Sequence, residues 1–383
     1  MIKFKNFMLI SFIFLIPKES YALSNKKIDE LAHEFMEKNK VDGMSIAVLN
    51  KNESLIFNYG FSNKTEKIPT NSDTIYTIAS FTKTVTATIA AIASVEQKLN
   101  LDDPFIKYFP ELKNEKNLNK ITSSHLLGHV SSLPFDFDPR PKTYTSLVND
   151  LQQFKVQKAV GSEYSYSNAS IGTVGYVLQN VYAKDYQEIL EDKILRPLNM
   201  TSTYLNVPKE KEKYIALGHD KNNNIVPYSR SIEIWFAAAS LKSTISDMAK
   251  YLNSHINYVS INDKVLSKAI PLVHENKYCF IDKISCEQLA WQAHTLSELE
   301  KSTGDTYFTH FDKNGNPVFD KIKIIENKSF EKNKIFIDKT GSGYGMSSYM
   351  AYIPEEKIGV VILINKSIGD ERIRLGRDIL KDF

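Results

Sequence analysis

The sequence predicts an α+β fold: an antiparallel β-sheet formed from both chain ends and flanked by helices, together with a mainly helical subdomain. Three observations lead to this prediction. β-rich runs occur near both ends of the chain, helical patterns precede the first run and follow the last, and the stretch 102–207 is mostly helical, interrupted by Pro, Gly and Asn. Strands and helices segregated in this way along a chain are typical of α+β domains.

The N-terminal end of the sequence predicts an export signal rather than a part of the fold. Two lysines precede the apolar run 7–16, and the Ser-Tyr-Ala sequence at 20–22 offers a cleavage site. The apolar run is shorter than the roughly 20 residues that a membrane-spanning helix needs. We therefore expect residues 1–22 to be removed as a signal peptide. The mature chain 23–383 would then be periplasmic, with no stable membrane anchor.

The first elements of the mature chain are predicted from local patterns. Apolar residues recur at helical spacing over 26–38, which predicts an amphipathic helix. The apolar runs 44–49 and 55–59 flank a polar turn, which predicts a β-hairpin. The alanine-rich stretch 82–97 has apolar residues at helical spacing and predicts a buried helix, with Ser80 at its N-terminal edge.

The C-terminal region returns to strands and closes with a helix. Short β-rich runs predict strands at 334–338, 347–353 and 358–364, and the pattern that follows predicts a helix at 371–380. The lysine- and asparagine-rich stretch 254–334 gives no clear pattern.

These elements predict one domain in two parts. Residues of about 23–80 and 230–383 would form an α/β part, and residues of about 81–229 a mainly helical part. No internal repeat is visible in the sequence. The fold would therefore bring the two chain ends together around one sheet.

Composition narrows the class of partner. Removal of residues 1–22 would take away three lysines and one glutamate, so the formal net charge falls from +3 for the 383 residues to +1, which argues against a nucleic-acid partner. We expect a small-molecule substrate and a monomer. Because the sequence has no paired C-x-x-C and no H-E-x-x-H motif, we expect no metal and no cofactor. In an oxidising compartment Cys279 and Cys286 could form a disulfide or remain two buried thiols, and the sequence leaves both alternatives open.

The sequence S-F-T-K at 80–83 is the first motif with chemical meaning. Acyl transfer by a serine needs a nucleophile, a base within hydrogen-bond reach and donors for the oxyanion. On a helix, positions i and i+3 share one face, so Lys83 would lie beside Ser80. The S-x-x-K pattern also begins at Ser24 and at Ser329, but only Ser80 precedes a predicted buried helix.

Two further motifs follow along the chain. Tyr166 and Asn168 form a Y-x-N pattern, which also begins at Tyr204 and at Tyr251. The sequence K-T-G at 339–341 occurs once, at the end of a predicted strand, and its glycine-rich surroundings would let a substrate approach the backbone closely. The order and spacing of the three motifs are more informative than any single one.

The three motifs in this order resemble the S-x-x-K, Y-x-N and K-T-G set of class C β-lactamases, within the serine β-lactamase and penicillin-binding protein-like family. Segments such as HLLGHVSSLP and KTGSGYGMSSYMAYIPEEKIGVVILINK are similar to that family, and only about 254–334 is too diverged to align. The resemblance implies a β-lactamase/transpeptidase-like fold and a serine hydrolase that opens the β-lactam amide of penicillins or cephalosporins. A DD-peptidase or esterase of the same fold, and a non-catalytic binding protein, are the alternatives.

The resemblance also implies a role for each matching residue. Ser80 would be acylated, with Lys83 as its proton partner and Tyr166 as a second base. Asn168 would bind the side-chain amide of the substrate, and the catalytic Lys339 would bind its carboxylate together with Thr340. Gly341 would let the substrate approach the backbone closely. The backbone N–H groups of Ser80 and Ser342 would bind the oxyanion. We expect the lysine charges to lower the pKa of both Lys83 and Tyr166 towards neutrality.

Some positions depart from the family or have a structural explanation. Asp136 stands where the family usually has glutamine, and Ala239 where it usually has an aromatic residue, so we expect an altered side-chain pocket. We expect His129 to stabilise a helix end rather than to serve in a catalytic triad. The segment 312–316 imitates a calcium loop but lacks the required glycine and glutamate around it, and we predict a hairpin turn at 314–315 instead.

Overall fold

The computed structural model describes residues 18–51, 53–228, 234–275, 277–280, 285–300, 308–311, 317–319, 322–326 and 335–382. Most of the predicted signal peptide and the hairpin turn predicted at 314–315 lie outside these residues. Within the described ranges, no helix combines the length and the apolar character needed to cross a lipid bilayer.

Strands and helices alternate irregularly along the chain. The strands are β1 (Gly43–Asn50), β2 (Glu53–Asn63), β3 (Ile68–Pro69), β4 (Ile75–Thr77), β5 (Glu163–Tyr164), β6 (Gly218–His219), β7 (Ile225–Val226), β8 (Lys242–Thr244), β9 (Tyr278–Phe280), β10 (Ser285–Glu287), β11 (Gln292–Thr295), β12 (Phe308–Phe311), β13 (Pro317–Phe319), β14 (Ile322–Glu326), β15 (Ile335–Gly343), β16 (Met346–Ile353) and β17 (Ile358–Ile364). The helices are α1 (Lys18–Asn39), α2 (Phe81–Val95), α3 (Ser123–Leu127), α4 (Tyr144–Gln153), α5 (Asn168–Tyr182), α6 (Tyr186–Leu190), α7 (Phe236–Ala239), α8 (Ile245–Ile256), α9 (Lys264–Val273), α10 (Leu296–Glu300) and α11 (Glu371–Lys381).

One large antiparallel sheet organises the molecule. Its strand order is β3-β2-β1-β17-β16-β15-β11-β10-β9-β14-β5, so the N-terminal hairpin lies beside the C-terminal strands. α11 packs against β16 and β17 on one face, and α8 packs against β1 and β17 on the other. The predicted α+β fold, with an antiparallel sheet built from both chain ends, is confirmed.

The central strands are buried on both faces of the sheet. In β17, Val361 and Leu363 belong to the core that includes α2 and α8, whereas Val360, Ile362 and Ile364 belong to the core that includes α1 and α11. A strand that is covered on both faces has no need for polar residues at alternate positions. This is why 358–364 reads as an almost continuous apolar run.

α2 is the central helix of the second layer, and the structure places it as predicted from 82–97, with slightly different bounds. Every residue from 81 to 93 is buried. The hydroxyls of Thr84 and Thr88 donate hydrogen bonds to the carbonyl oxygens of Phe81 and Thr84, at 2.8 and 3.0 Å. These local bonds let a helix with several threonines be buried without unsatisfied hydroxyl groups.

Three findings differ from the predicted elements or extend them. α1 begins at Lys18, earlier than the predicted start at 26. β15 continues to Gly343 because 339–343 pair with β16, so the K-T-G sequence lies inside a strand and not at its end. The uninformative stretch 254–334 supplies β9, β10, β11 and β14 to the main sheet.

The two cysteines lie opposite each other on paired strands. Cys279 of β9 and Cys286 of β10 are register partners, and the structure joins them in a disulfide. Of the two alternatives that the sequence leaves open, the structure has the bridge.

Candidate active site

Ser80 lies at the first turn of α2, where the backbone changes direction sharply. The preceding residue, Ala79, has a φ of 46°, in the left-handed region that non-glycine residues rarely adopt. Ser80 itself is the residue before the first helical residue and is partly exposed. A nucleophile at this position experiences the positive potential of the helix N-terminus, which favours negative charge on its oxygen.

Lys83 lies one turn into α2 and is fully buried. Its Nζ donates hydrogen bonds to Ser80 Oγ at 3.2 Å, to Asn168 Oδ1 at 2.7 Å and to the carbonyl oxygen of Ala238 at 2.9 Å. Burial lowers the pKa of Lys83 well below its usual value, and the charge of Lys339 lowers it further. The predicted direction of this pKa shift agrees with the structure, although burial is its main cause.

Tyr166 contacts the same serine from the other side. Its hydroxyl donates a hydrogen bond to Ser80 Oγ at 2.9 Å, and the Nζ atoms of Lys83 and Lys339 lie 4.9 and 5.1 Å from the centre of its ring. Burial raises the pKa of Tyr166, and the carboxyl of Glu287 raises it further. The expected lowering of the Tyr166 pKa is therefore wrong, because burial disfavours the ionised phenol more than the hydrogen bond with Ser80 favours it. Tyr166 is a proton donor in this structure.

The N-terminal cap of α5 positions Tyr166 and Asn168. Ser167 is the cap residue, and its side chain accepts a hydrogen bond from the backbone N–H of Ser170. His129 accepts the backbone N–H of Ser167 on Nδ1 at 3.1 Å, and its ring lies 4.4 Å from that of Tyr166. His129 thus supports the start of a helix and the orientation of Tyr166.

β15 brings the third motif to the same place. Lys339 is buried, whereas Thr340 is partly exposed and Ser342 is exposed. A Cβ added to Gly341 would lie 2.4 Å from the carbonyl oxygen of Ile78, which is two residues before Ser80. Only glycine permits this approach, so Gly341 sets the closeness of β15 to the start of α2.

The structure therefore brings five of the predicted site residues together, and Thr340, Gly341 and Ser342 follow Lys339 on β15. Ser80, Lys83, Tyr166 and Asn168 form one hydrogen-bonded cluster, and Lys339 flanks the ring of Tyr166. Local sequence gave no sign of the carbonyl of Ala238 as a partner of Lys83, because the two are 155 positions apart in the chain.

Asp136 joins two segments that are far apart in the sequence. The carbonyl of the residue before it, Phe135, accepts the backbone N–H of Asn168 at 2.9 Å. Asp136 accepts hydrogen bonds from Trp235 Nε1, at 2.7 Å, and from Arg140 Nε. Its carboxylate thus links the loop beside Asn168 to the segment that leads into α7.

A family model for β-lactamases matches residues 28–381 of the chain. The chain belongs to the β-lactamase family. It is 30% identical over 353 residues to a β-lactamase of Providencia stuartii, and the aligned region covers 91% of this chain and 88% of the relative. A β-lactamase of Escherichia coli K12 is 28% identical over 352 residues, or 89% of this family member and 90% of the relative.

Solved structures of the family show the same architecture. A class C β-lactamase superposes with a TM-score of 0.82 at 25% identity, covering 94% of this chain and 98% of that one. A β-lactamase/D-alanine carboxypeptidase from Pseudomonas syringae superposes with a TM-score of 0.84 at 26% identity. The superposition covers 94% of this chain and 99% of that one. This β-lactamase family member is thus a serine hydrolase of the class C-like type with the β-lactamase/transpeptidase-like fold.

Proposed function

We propose that this protein hydrolyses the β-lactam amide of penicillins and cephalosporins through an acyl-enzyme on Ser80. The observation that carries the proposal is the pair of contacts to one oxygen: Lys83 Nζ and Tyr166 Oη both lie within hydrogen-bond distance of Ser80 Oγ. A serine flanked by two proton-handling groups is arranged for nucleophilic catalysis. The β-lactamase relatives support the choice of substrate.

In the acylation step, Lys83 acts as the base. Its lowered pKa favours the neutral amine. In that form its two N–H groups donate to Asn168 and to the carbonyl of Ala238, and its lone pair accepts the proton of Ser80 as Oγ bonds to the lactam carbonyl carbon. The C–N bond of the lactam then breaks. The ring nitrogen receives a proton from the Tyr166 hydroxyl, which in turn recovers one from protonated Lys83. In the second step a water molecule gives one proton to neutral Lys83 as its oxygen bonds to the acyl carbon. The bond from that carbon to Ser80 Oγ then breaks, and Lys83 returns the proton to Oγ.

The other motif residues would bind the substrate. The backbone N–H groups of Ser80 and Ser342 would donate to the developing oxyanion, an interaction worth on the order of 3 kcal/mol for each donor. Lys339 and Thr340 would bind the carboxylate of the substrate. Asn168 uses its Oδ1 for Lys83, which leaves its Nδ2 to donate to the side-chain amide of a β-lactam.

The test is nitrocefin turnover by the purified mature chain. Ser80→Ala should abolish turnover and labelling by a fluorescent penicillin, because it removes the oxygen that both Lys83 and Tyr166 contact. Ser94→Ala, at the other end of the same helix, is the matched control and should retain full activity. Turnover that survives in Ser80→Ala would refute the proposal.

A DD-peptidase is the second candidate, because the Pseudomonas syringae neighbour carries both names. A stoichiometric burst of nitrocefin hydrolysis without continued turnover, together with cleavage of D-Ala-D-Ala peptides, would favour it. Turnover of short acyl esters alone would favour an esterase. Absence of any acylation would favour a non-catalytic binding protein.

We also propose that the enzyme acts in the periplasm as a monomer of residues 23–383, after cleavage of the signal peptide 1–22. Its α/β part would comprise about 23–80 and 230–383, and its helical part about 81–229. Intact mass of the exported protein tests the cleavage site. A mass that includes residues 1–22 would contradict it.

A further inference from the structure

Asp136 and Trp235 form a hydrogen bond between two segments that lie outside the three motifs. Trp235 Nε1 donates to Asp136 Oδ1 at 2.7 Å, and the two residues are 99 positions apart in the chain. Both are shielded from water, since 7% of the Asp136 side chain and 2% of Trp235 are exposed. A hydrogen bond to an ionised acceptor is stronger than one between neutral groups, so this bond can hold the two segments together.

The segment of Asp136 leads to Asn168. The carbonyl oxygen of Phe135 accepts the backbone N–H groups of Asn168 and Ala169, at 2.9 and 3.3 Å, which joins the residue before Asp136 to the first turn of α5. Asn168 Oδ1 in turn accepts a hydrogen bond from Lys83 Nζ at 2.7 Å. Asp136 is therefore linked to one acceptor of the buried amine.

The segment of Trp235 leads to the other acceptor. Trp235 is the residue before α7, and its carbonyl oxygen accepts the backbone N–H groups of Ala238 and Ala239, at 2.8 and 3.3 Å. The carbonyl oxygen of Ala238 accepts a hydrogen bond from Lys83 Nζ at 2.9 Å. Because α7 has only four residues, it has little stability of its own, and its position depends on how Trp235 is held.

Trp235 is also packed against α5, the helix that begins with Asn168. A Cβ added to Gly172 on that helix would overlap the Trp235 ring, so the indole lies directly on the helix backbone. Packing on α5 fixes the distance between the two helices, and the hydrogen bond to Asp136 fixes the rotation of the ring. Loss of that bond would let α7 shift relative to Asn168.

The two acceptors matter because of the form in which Lys83 acts. A neutral lysine amine has two N–H bonds and one lone pair, so two fixed acceptors decide the direction of the lone pair. For Lys83 these acceptors are Asn168 Oδ1 and the carbonyl of Ala238, and the third neighbour of Nζ is Ser80 Oγ at 3.2 Å. If either acceptor moves, the amine can turn and the lone pair no longer points at the nucleophile.

We infer that Asp136 and Trp235 are positioning residues: their hydrogen bond holds the two acceptors of Lys83 in one geometry and so directs the lone pair of its amine at Ser80. The inference rests on the proposed role of Lys83 as the base. Because the bond acts on the base, its loss should slow acylation more than it weakens substrate binding.

The first experiment compares the two tryptophans of the protein. Trp235→Phe keeps a ring against α5 but removes the N–H donor. We expect the rate constant for acylation of Ser80 by a saturating penicillin to fall about tenfold, with little change in the half-saturating concentration. Trp291→Phe is the matched control, because Trp291 is also buried and its indole N–H has no hydrogen-bond partner among the described residues. It should keep the unaltered rate, and equal rates for the two variants would overturn the inference.

Variants of Asp136 separate positioning from a loss of packing. Asp136→Ala should be as slow as Trp235→Phe. Asp136→Asn should stay within about threefold of the unaltered enzyme, because the amide oxygen still accepts from Trp235 and the exposed Arg140 can turn towards solvent. In the double variant Asp136→Ala/Trp235→Phe the two losses should not multiply, since both remove the same bond. Losses that multiply, or an Asp136→Asn enzyme as slow as Asp136→Ala, would contradict the inference.

A reagent that is not a β-lactam separates this inference from the proposed substrate. In labelling by a fluorophosphonate, Ser80 Oγ bonds to phosphorus, fluoride leaves and Lys83 takes the proton. Labelling that is slower in Trp235→Phe but not in Trp291→Phe, in a protein that no penicillin acylates, would retain the inference and reject the proposed function. Penicillin turnover with equal rates in the two variants would do the reverse. A Ser80 that neither reagent labels would overturn both.

Discussion

Two adjacent residues of β15 lead to polar networks of different character. Lys339 flanks the ring of Tyr166, whose hydroxyl contacts the partly exposed Ser80. Asp338 belongs to a network with Tyr349 and Arg377 beside the core of the terminal helices. The first network ends at the partly exposed hydroxyl of Ser80, whereas the residues of the second are all buried.

The Asp338 network even contains the residue types of a catalytic triad. Ser285 Oγ lies 2.7 Å from His294 Nδ1, and His294 Nε2 lies 3.2 Å from Asp338 Oδ1. All three side chains are buried, with exposures of 3 to 5%. Burial favours a high pKa for Asp338, but His294, Arg377 and Tyr349 together hold that pKa below its usual value. The comparison shows that residue types alone do not make a reactive site. Ser80 can be reached from solvent, whereas Ser285 is buried and the charge of Asp338 is already balanced by its neighbours.

The largest expected effect is that of Lys83→Met. Removal of the base should lower kcat/KM for nitrocefin by about 10³-fold or more. In the unaltered enzyme the buried amine has a lowered pKa, so acylation should be lost only as the pH falls through that value and Lys83 becomes protonated. Lys98→Met, an exposed lysine just after α2, should leave both the rate and the pH profile unchanged. Near-normal acylation by Lys83→Met would show that the reactivity of Ser80 does not depend on this amine.

Tyr166→Phe should have the next largest effect, a loss of about 10²-fold in kcat/KM, because it removes the proton donor to the lactam nitrogen. Tyr164→Phe is the matched control. Its hydroxyl is buried and lies 3.5 Å from Gln292 Nε2, with no contact to Ser80 among the described hydrogen bonds. We expect Tyr164→Phe to remain within about threefold of the unaltered rate. A Tyr166→Phe enzyme with full turnover would remove Tyr166 from the mechanism.

Asp338→Asn should affect stability more than chemistry. Loss of the negative charge leaves Arg377 and Tyr349 without their buried partner, which should lower the free energy of unfolding by about 3 kcal/mol in urea titrations. At neutral pH the kcat/KM of the folded variant should stay within about fivefold. Asp103→Asn, which breaks an exposed ion pair with Lys107, should cost less than about 1 kcal/mol. A loss of kcat/KM well beyond fivefold in the folded variant would mean that Asp338 also affects the active site on the other face of β15.

The smallest expected effect is that of Ser285→Ala, a loss of about 1 kcal/mol for one buried hydrogen bond, with no change in turnover. The decisive comparison is made in the Ser80→Ala background. If any residual hydrolysis there disappears on adding Ser285→Ala, then the buried serine is reactive and the contrast between the two networks fails.

The sequence was sufficient where the signal is local. Ser80 and Lys83 lie one helical turn apart, and the apolar pattern of 82–97 predicted the helix that holds them. The predicted strand 358–364 is observed with the same bounds because its residues are apolar on both faces. Motif order then indicated that Tyr166 and Lys339 belong to the same site.

Long-range packing decided the rest. β9, β10 and β11 carry no clear pattern in the sequence, because each is three or four residues long and is stabilised by pairing with strands elsewhere in the chain. The raised pKa of Tyr166 depends on burial by distant segments, which its own motif does not reveal.

The contact between Ile78 and the strand pair β15–β16 connects the start of α2 to strands that are synthesised near the end of the chain. Ser348 Oγ donates to the carbonyl oxygen of Ile78 across 270 positions of the chain, and Gly341 packs on the same carbonyl. Ser80 emerges early from synthesis or export, whereas Lys339 and Thr340, which would bind the substrate, arrive only with the last strands. We expect the serine of an incomplete chain to react poorly with a penicillin, so the rate of covalent labelling would report the formation of these last strands.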